Sequence, residues 1–185
     1  LLGHYLSDIS DCEWALATVV NKEGSSYRSP GSIMMVNSLG QSFGLVSGGC
    51  LEADIVRRVK KVFYNGKGAY AEYDLREEDS FAAELGIGCK GKIGVLIQRL
   101  TEKHRVVLDI LYVTLKAGKS CYLVQEFEAS ITSTGLNEIS LLDSHGEPFP
   151  QHRRRLENSF TSNYYRQDGE CHFDGKYANF YFLKF

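Results

Sequence analysis

Proline is scarce in this chain, 3 residues against 18 glycines in 185, so glycine marks most of its turns and a proline-rich linker is excluded. Neither a Cys-x-x-Cys nor a His-x-x-x-His pair occurs, and Cys171 and His172 are adjacent, which argues against a structural zinc site. Neither sign of charge dominates: 21 Lys and Arg face 23 Asp and Glu, net −2. That balance gives no field favouring nucleic acid or a membrane surface. No apolar run approaches the length of a transmembrane helix, no basic-then-apolar leader is visible, and repeats and low-complexity tracts are missing. The cysteines, Cys12, Cys50, Cys89, Cys121 and Cys171, number 5. An odd count at irregular spacing argues against a disulfide framework and for a reducing, cytoplasmic location. An initiating methionine is absent too. With Leu1 first and an apolar aromatic stretch, residues 177–185, last, we expect a fragment of a longer protein.

What is present is the composition of an ordinary globular domain, 43% apolar and 24% charged, with enough length for a real core. Residues 1–10 read as the tail of an amphipathic helix with Leu1, Tyr5, Leu6 and Ile9 on one side. Residues 14–20 read as a mostly buried strand. A turn-rich loop, Glu23-Gly-Ser-Ser-Tyr-Arg-Ser-Pro-Gly31, follows. Residues 32–37 and 41–46 read as strands joined by a hairpin turn over 37–40.

The most informative stretch is Gly44-Leu-Val-Ser-Gly-Gly-Cys-Leu-Glu52, where a strand hands over to a helix. Beyond it Leu51, Ile55, Val59 and Val62 form an apolar stripe with Val56 and Phe63 beside it, and Asp54, Arg57, Arg58, Lys60 and Lys61 take the other face. Gly49 suits an N-cap, Glu52 suits the positive end of the dipole, and Gly66 supplies the stop. Cys50 then falls in the first turn, where unpaired N–H groups favour a thiolate. A small cysteine filling a tight corner is the alternative reading.

Residues 69–75 read as another strand and the acidic stretch 76–85 as a short helix. Gly86-Ile-Gly-Cys-Lys-Gly91 matches G-x-G-x-x-G literally. A dinucleotide fingerprint needs a strand before and a helix after, whereas here a helical segment precedes and a strand, 92–99, follows, so a nucleotide fold is rejected. What remains is a loop presenting Cys89 among backbone N–H groups with Lys90 and Lys92, suited to an anion nest, or else a plain turn. Thr101 caps a second long helix with Val107, Ile110, Leu111, Thr114 and Leu115 on its apolar side, ending at Gly118. Cys121 opens a strand over 120–127 and reads as core. From 129 on, short strands at 139–142 and 177–182 are separated by polar loops and a basic cluster, Arg153 to Arg155, that reads as a solvated face.

Taken together, Ala17-Thr-Val-Val20, Gly24-Ser-Ser-Tyr-Arg-Ser-Pro-Gly31, Met34-Met-Val36, Ser47-Gly-Gly-Cys-Leu-Glu52, Tyr73-Asp74 and Gly86-Ile-Gly-Cys-Lys-Gly91 resemble the N-terminal domain of the XdhC/CoxI family, the xanthine dehydrogenase accessory proteins. The resemblance is strong over residues 14–99. It implies a protein that is not itself the oxidoreductase but binds molybdenum cofactor (molybdopterin), supports its sulfuration with a cysteine desulfurase, and delivers it as an insertion chaperone to a xanthine dehydrogenase-type molybdenum hydroxylase. No catalytic residue is implied. Cofactor-binding groups implied by the matching motifs are Arg28; Ser47, Gly48, Gly49 and Cys50; and Gly88, Cys89 and Gly91. The family usually has Gly-Cys-Gly-Gly where this chain has Gly88-Cys-Lys-Gly91. Larger members carry a C-terminal Rossmann-like domain that has no counterpart here, so residues 1–128 are expected to form the family's N-terminal domain and 129–185 a strand-rich extension towards it.

The expected fold is α+β: a mixed, mainly antiparallel sheet with two long helices packed on it, and the loops bearing 24–31, Cys50 and Cys89 gathered at one end. There Cys50 and Cys89 would converge on one ligand, with thiolates at the molybdenum end and an anion nest for the phosphate. Two other readings stay open. One is a cysteine-dependent hydrolase or sulfur transferase with Cys50 as nucleophile, although His4, His104, His145, His152 and His172 all lie outside the motifs. The other is a non-catalytic interaction module in which the cysteines only pack. A homo-oligomer is among the expected partners of the chain.

Overall fold

The computed structural model describes residues 1–24, 28–49, 51–74, 91–127, 138–149, 164–167, 170–173 and 179–185. Cys50, Gly88, Cys89, Lys90, the short helix expected over 76–85 and the basic cluster at 153–155 lie outside them.

Five strands form the main sheet: β1 (Trp14–Gly24), β2 (Ile33–Asn37), β3 (Ser42–Gly44), β4 (Ala69–Asp74) and β5 (Gly91–Leu100). Their order is β3-β2-β1-β5-β4, and every pairing is antiparallel. β1 and β5 lie at the centre and are buried on both faces, which is why their sequences run apolar without clean alternation. On one face Ala15, Ala17, Val19, Met34, Val36, Ile93, Val95 and Ile97 pack against Leu51, Ile55, Val59 and Val62 of helix α2 (Glu52–Asn65). The stripe read from the sequence is therefore the buried one, and Gly66, at φ +66°, ends α2 as expected.

The opposite face is covered by three elements: helix α1 (Leu2–Ser7), helix α3 (Glu102–Lys116) and a second sheet. That sheet has the order β10-β6-β7, from β6 (Cys121–Phe127), β7 (Glu138–Asp143) and β10 (Asn179–Lys184). Leu16, Met35 and Leu100 meet Val107, Leu108 and Leu111 of α3, and Cys121, Leu123, Ile139 and Leu141 of the second sheet, in one core. Among the described helices α2 packs on the main sheet, while α3 is shared between the two sheets. A hydrogen bond from Gln125 Nε2 to Gln98 Oε1, 2.5 Å, ties the sheets together inside this core. The α+β class with a mainly antiparallel sheet is what the sequence led us to expect, and Cys121 is fully buried as read.

Local differences have local causes. The first helix stops at Ser7, because Asp8 turns out of it to accept hydrogen bonds from Ser10 N–H and Trp14 Nε1; Ile9 is left 98% exposed instead of sharing its apolar side. The third strand is confined to Ser42–Gly44, since Gly44 adopts φ +87° and takes the chain off the sheet. A small hairpin, β8 (Tyr164–Gln167) with β9 (Glu170–Phe173), was not foreseen, although the Asp168-Gly169 pair between them is a hairpin signal.

Candidate functional site

Antiparallel register decides which loops share an end of the main sheet. β1 finishes at Gly24 opposite Gly91, the first residue of β5; β4 finishes at Asp74 opposite Lys92; β3 finishes at Gly44 opposite Met34, near the start of β2. All five strand termini therefore point the same way, and the connections 25–32, 45–51 and 75–90 leave from that one end. β1, β4 and β5 reach beyond β2, which pairs with β1 only as far as Thr18. The chain returning from β1 comes back along this overhang, with Gly31 N–H donating to Val19 C=O and Val19 N–H to Ser32 C=O, both at 2.9 Å. Exposed Arg28 lies on that return.

Helix α2 starts at the same end. Asp54, in its first turn, accepts a hydrogen bond from Tyr73 Oη at 2.7 Å, and Tyr73 is the penultimate residue of β4. The sequence placed Asp54 on the solvent face; it is instead 8% exposed. Arg58 Nε and Arg57 Nη2 donate to its two carboxylate oxygens at 2.6 Å each. Burial pulls the Asp54 carboxyl up, but the bonds from Tyr73 and Arg58 outweigh it and hold the group below its ordinary value. Burial and the Asp54 carboxylate together push the Tyr73 hydroxyl up.

The corner before α2 is closed by Ser47 and Glu52. Glu52 Oε1 accepts from Val46 and Ser47 N–H at 3.2 and 2.9 Å, and Glu52 Oε2 accepts from Ser47 Oγ at 2.5 Å. Ser47 Oγ in turn accepts from Gly49 and Leu51 N–H at 3.3 and 3.1 Å. This reciprocal pair moves the helix start: Leu51, not Gly49, is the N-cap, and Gly49 sits at φ +110° in the loop. Burial raises the Glu52 pKa, yet the hydrogen bonds from Ser47 and Val46 lower it further, so the corner holds a carboxylate. Four loop N–H groups are thus taken up by Ser47 and Glu52, where the sequence led us to expect unpaired N–H groups around Cys50. Exposed Gly48 and Gly49 keep the backbone approachable, and a Cβ at Gly49 would meet nothing within 4 Å.

Of the residues singled out in the sequence, then, Arg28, Ser47, Gly48, Gly49 and Gly91 belong to loops or strand ends at this end of the sheet. Cys50, Gly88 and Cys89 fall outside the described residues, although Gly49, Leu51 and Gly91 bound their loops. Lys92, read as support for a thiolate at Cys89, is paired with Glu72 of β4 at 2.8 Å. His4 stacks on Phe43, and His104 sits in the first turn of α3, where its Nδ1 accepts from Thr101 N–H at 3.0 Å. Thr101 follows the far end of β5, so His104 cannot serve Cys50 as a base. Among the described residues no group of three or more His, Cys, Asp or Glu converges to hold a metal. The contact between Asp54 and Tyr73 escaped the sequence reading because helical periodicity reports one helix, not the strand beneath it.

Comparison with known proteins covers the same segments. Residues 10–74 match the XdhC and CoxI family. That span includes the loops of Arg28 and Cys50 and stops before that of Cys89. The chain is 36% identical over 118 residues to a probable xanthine dehydrogenase subunit of Bacillus subtilis (strain 168), a match over 64% of this chain and 36% of that protein. It therefore spans about a third of the length of this relative. A crystal structure of a xanthine dehydrogenase from Bacillus halodurans superposes with a TM-score of 0.64 at 29% identity, covering 96% of this chain and 51% of that one. Over residues 10–74 the chain carries a segment of the XdhC and CoxI family, and its relative and its fold agree with that match.

Proposed function

We propose that the chain is the cofactor-handling part of a xanthine dehydrogenase accessory factor: it binds molybdenum cofactor, holds it during sulfuration by a cysteine desulfurase, and passes it to a molybdenum hydroxylase. The observation that carries this reading is that the strand ends from which three glycine-bearing connections leave, at Gly24, Gly44, Asp74 and Gly91, lie at one end of the sheet beside the start of α2. The names of the similar proteins support an association with xanthine dehydrogenase.

The residues present suit such a ligand. Molybdopterin, when bound, supplies a phosphate and a dithiolene-held molybdenum, a hard anion at one end and a soft metal at the other. Arg28 offers the phosphate a cation. The N–H groups before α2 contribute less, because Ser47 and Glu52 already engage them. Cys50 and Cys89 are the soft donors of the two other connections. Gly48 and Gly49 let a flat ligand approach the main chain without meeting a side chain.

Transfer to a cofactor-free hydroxylase tests the reading. The protein purified from a host that makes molybdenum cofactor is mixed with the apo-hydroxylase and substrate turnover is followed. Activity should appear in proportion to the loaded protein added, and Cys50→Ser should reduce it. No recovered activity from protein shown to be folded contradicts the proposal.

A further inference from the structure

An open cavity of about 240 Å³ lies at the end of the main sheet where β1 begins and β2 ends. At about 3.3 Å per residue, β1 carries the chain roughly 30 Å from there to Gly24, so the cavity is separate from the end that bears the glycine-rich connections. One wall is aromatic: Phe43 stacks with His4 at 4.3 Å between ring centroids and with Trp14 at 5.8 Å. The turn leading to Phe43 is braced by two amides on the same cavity. Gln41 N–H donates to Asn37 Oδ1 at 2.9 Å and Asn37 Nδ2 to Gln41 Oε1 at 2.7 Å, which leaves each oxygen a second lone pair. The charge comes from Asp8. Its carboxylate accepts from Ser10 N–H at 2.9 Å, Ser10 Oγ at 2.5 Å and Trp14 Nε1 at 2.7 Å, all neutral donors. Arg105 reaches the main-chain carbonyl of Asp8, at 3.3 Å, and those of Tyr5 and Leu6. The bonds from Ser10 and Trp14 hold the Asp8 carboxyl below its ordinary value, so it is an anion at neutral pH. No lysine or arginine is among the described residues that line the cavity.

A carboxylate bonded to neutral donors, beside stacked rings and two amide oxygens, offers acceptors and π faces without a fixed positive charge. An anion would be repelled there, and a neutral apolar molecule would gain nothing from Asp8. A flat cation uses every group: its charge meets Asp8, its N–H donors meet the amide oxygens, and its face or stem lies on the rings. We propose that this cavity binds a small organic cation, a guanidinium or alkylammonium group on a short apolar stem. At about 30 Å³ for each water-sized group, the volume holds roughly eight non-hydrogen atoms. The proposal stands on this cavity alone and does not rest on the cofactor reading.

Titration of the chain with butylguanidinium, followed by the fluorescence of its one tryptophan, Trp14, tests this. Butylurea, the neutral isostere, and butyrate, an anion, are titrated alongside. The guanidinium should bind saturably and about tenfold or more tightly than either. Asp8→Asn, which keeps an acceptor for Trp14 Nε1, should raise the Kd about tenfold or more. Phe43→Leu should raise it about two- to fivefold. Asp11→Asn, an exposed acid of the same connection that does not line the cavity, should bind as the native chain does. Thermal melts establish that each variant is folded, and the comparison of probes on the native chain needs no variant. Cys12, on the cavity wall, should alkylate more slowly at saturating probe, as read by peptide mass spectrometry. A capped Gly-Arg-Gly peptide separates the sources of the cation. Binding about tenfold or more weakly than butylguanidinium assigns the cavity to a free small molecule; tighter binding than that assigns it to an arginine side chain of a polypeptide as well. Absence of a saturable signal from the folded native chain, or equal affinity for butylguanidinium and butylurea, overturns the proposal. So does a folded Asp8→Asn variant that binds the guanidinium as the native chain does.

Discussion

Replacing Tyr73 by Phe isolates the contact that holds the start of α2 against β4. The native hydroxyl donates at 2.7 Å to Asp54, and both residues are buried, at 5% and 8% exposure. A buried hydrogen bond to a carboxylate contributes roughly 1.5–3 kcal/mol. The bonds from Arg57 and Arg58 are worth less, roughly 1 kcal/mol or below each, because both side chains remain partly exposed, at 66% and 41%. Tyr73→Phe should therefore destabilise by about 2 kcal/mol. Asp54→Ala should destabilise by about 3 kcal/mol, since it also strands the Tyr73 hydroxyl without a partner. If one bond links the two, the double variant should lose about 3 kcal/mol and the cycle should give a coupling near 2 kcal/mol. For a domain of this size the Tyr73→Phe effect is a fall in Tm of about 4–8 °C. The pH sign follows from the lowered Asp54 carboxyl: its contribution is complete above the unfolded value of about 3.9 and disappears as pH falls through the folded one. Urea titrations of the four proteins at pH 7 and below pH 4 supply the numbers. A coupling under about 0.5 kcal/mol at pH 7, with the two single effects simply adding, would refute the reasoning.

Glu52→Gln should destabilise by about 1–2 kcal/mol at pH 7, because a neutral amide replaces a carboxylate accepting from Ser47 and Val46. The native advantage should shrink as pH drops below the unfolded glutamate value, as measured by urea midpoints, because the folded pKa is the lower one. Gly44→Ala should cost about 2 kcal/mol or more in a thermal melt, since φ is +87° and a Cβ there would press on Ile33 C=O and come within 2.8 Å of Leu1 Cδ1. Cys121 is fully buried and burial pushes its thiol up, so it should alkylate far more slowly than Cys50, and bound cofactor should slow Cys50 further. Mass spectrometry of the labelled peptides reads both.

The buried stripe of α2, its stop at Gly66, the doubly buried β1 and the core role of Cys121 were all legible, because each depends on local periodicity or on a residue's own solubility. That the strands flanking these loops end at one side of the sheet was legible too, once antiparallel pairing is assumed. Harder to read were the polar contacts that cross between elements. Asp54 looked like a surface residue because Tyr73, which makes its burial tolerable, comes 19 positions later on another element. Glu52 looked like a favourable charge at a helix end, and its stronger role, closing the corner on Ser47 and shifting the N-cap to Leu51, depends on how the chain leaves β3. Lys92 looked available to Cys89 until the β4–β5 register set Glu72 beside it.

The most direct test of the central claim is the molybdenum and pterin content of the purified full-length protein, obtained from a host that makes the cofactor and compared with Cys50→Ser, Cys89→Ser and Arg28→Ala. The account predicts molybdenum and pterin in equal amounts, released together on denaturation and strongly reduced in each variant, whose Tm stays close to that of the native protein. Native protein without molybdenum or pterin, or variants that retain both as the native chain does, would contradict it.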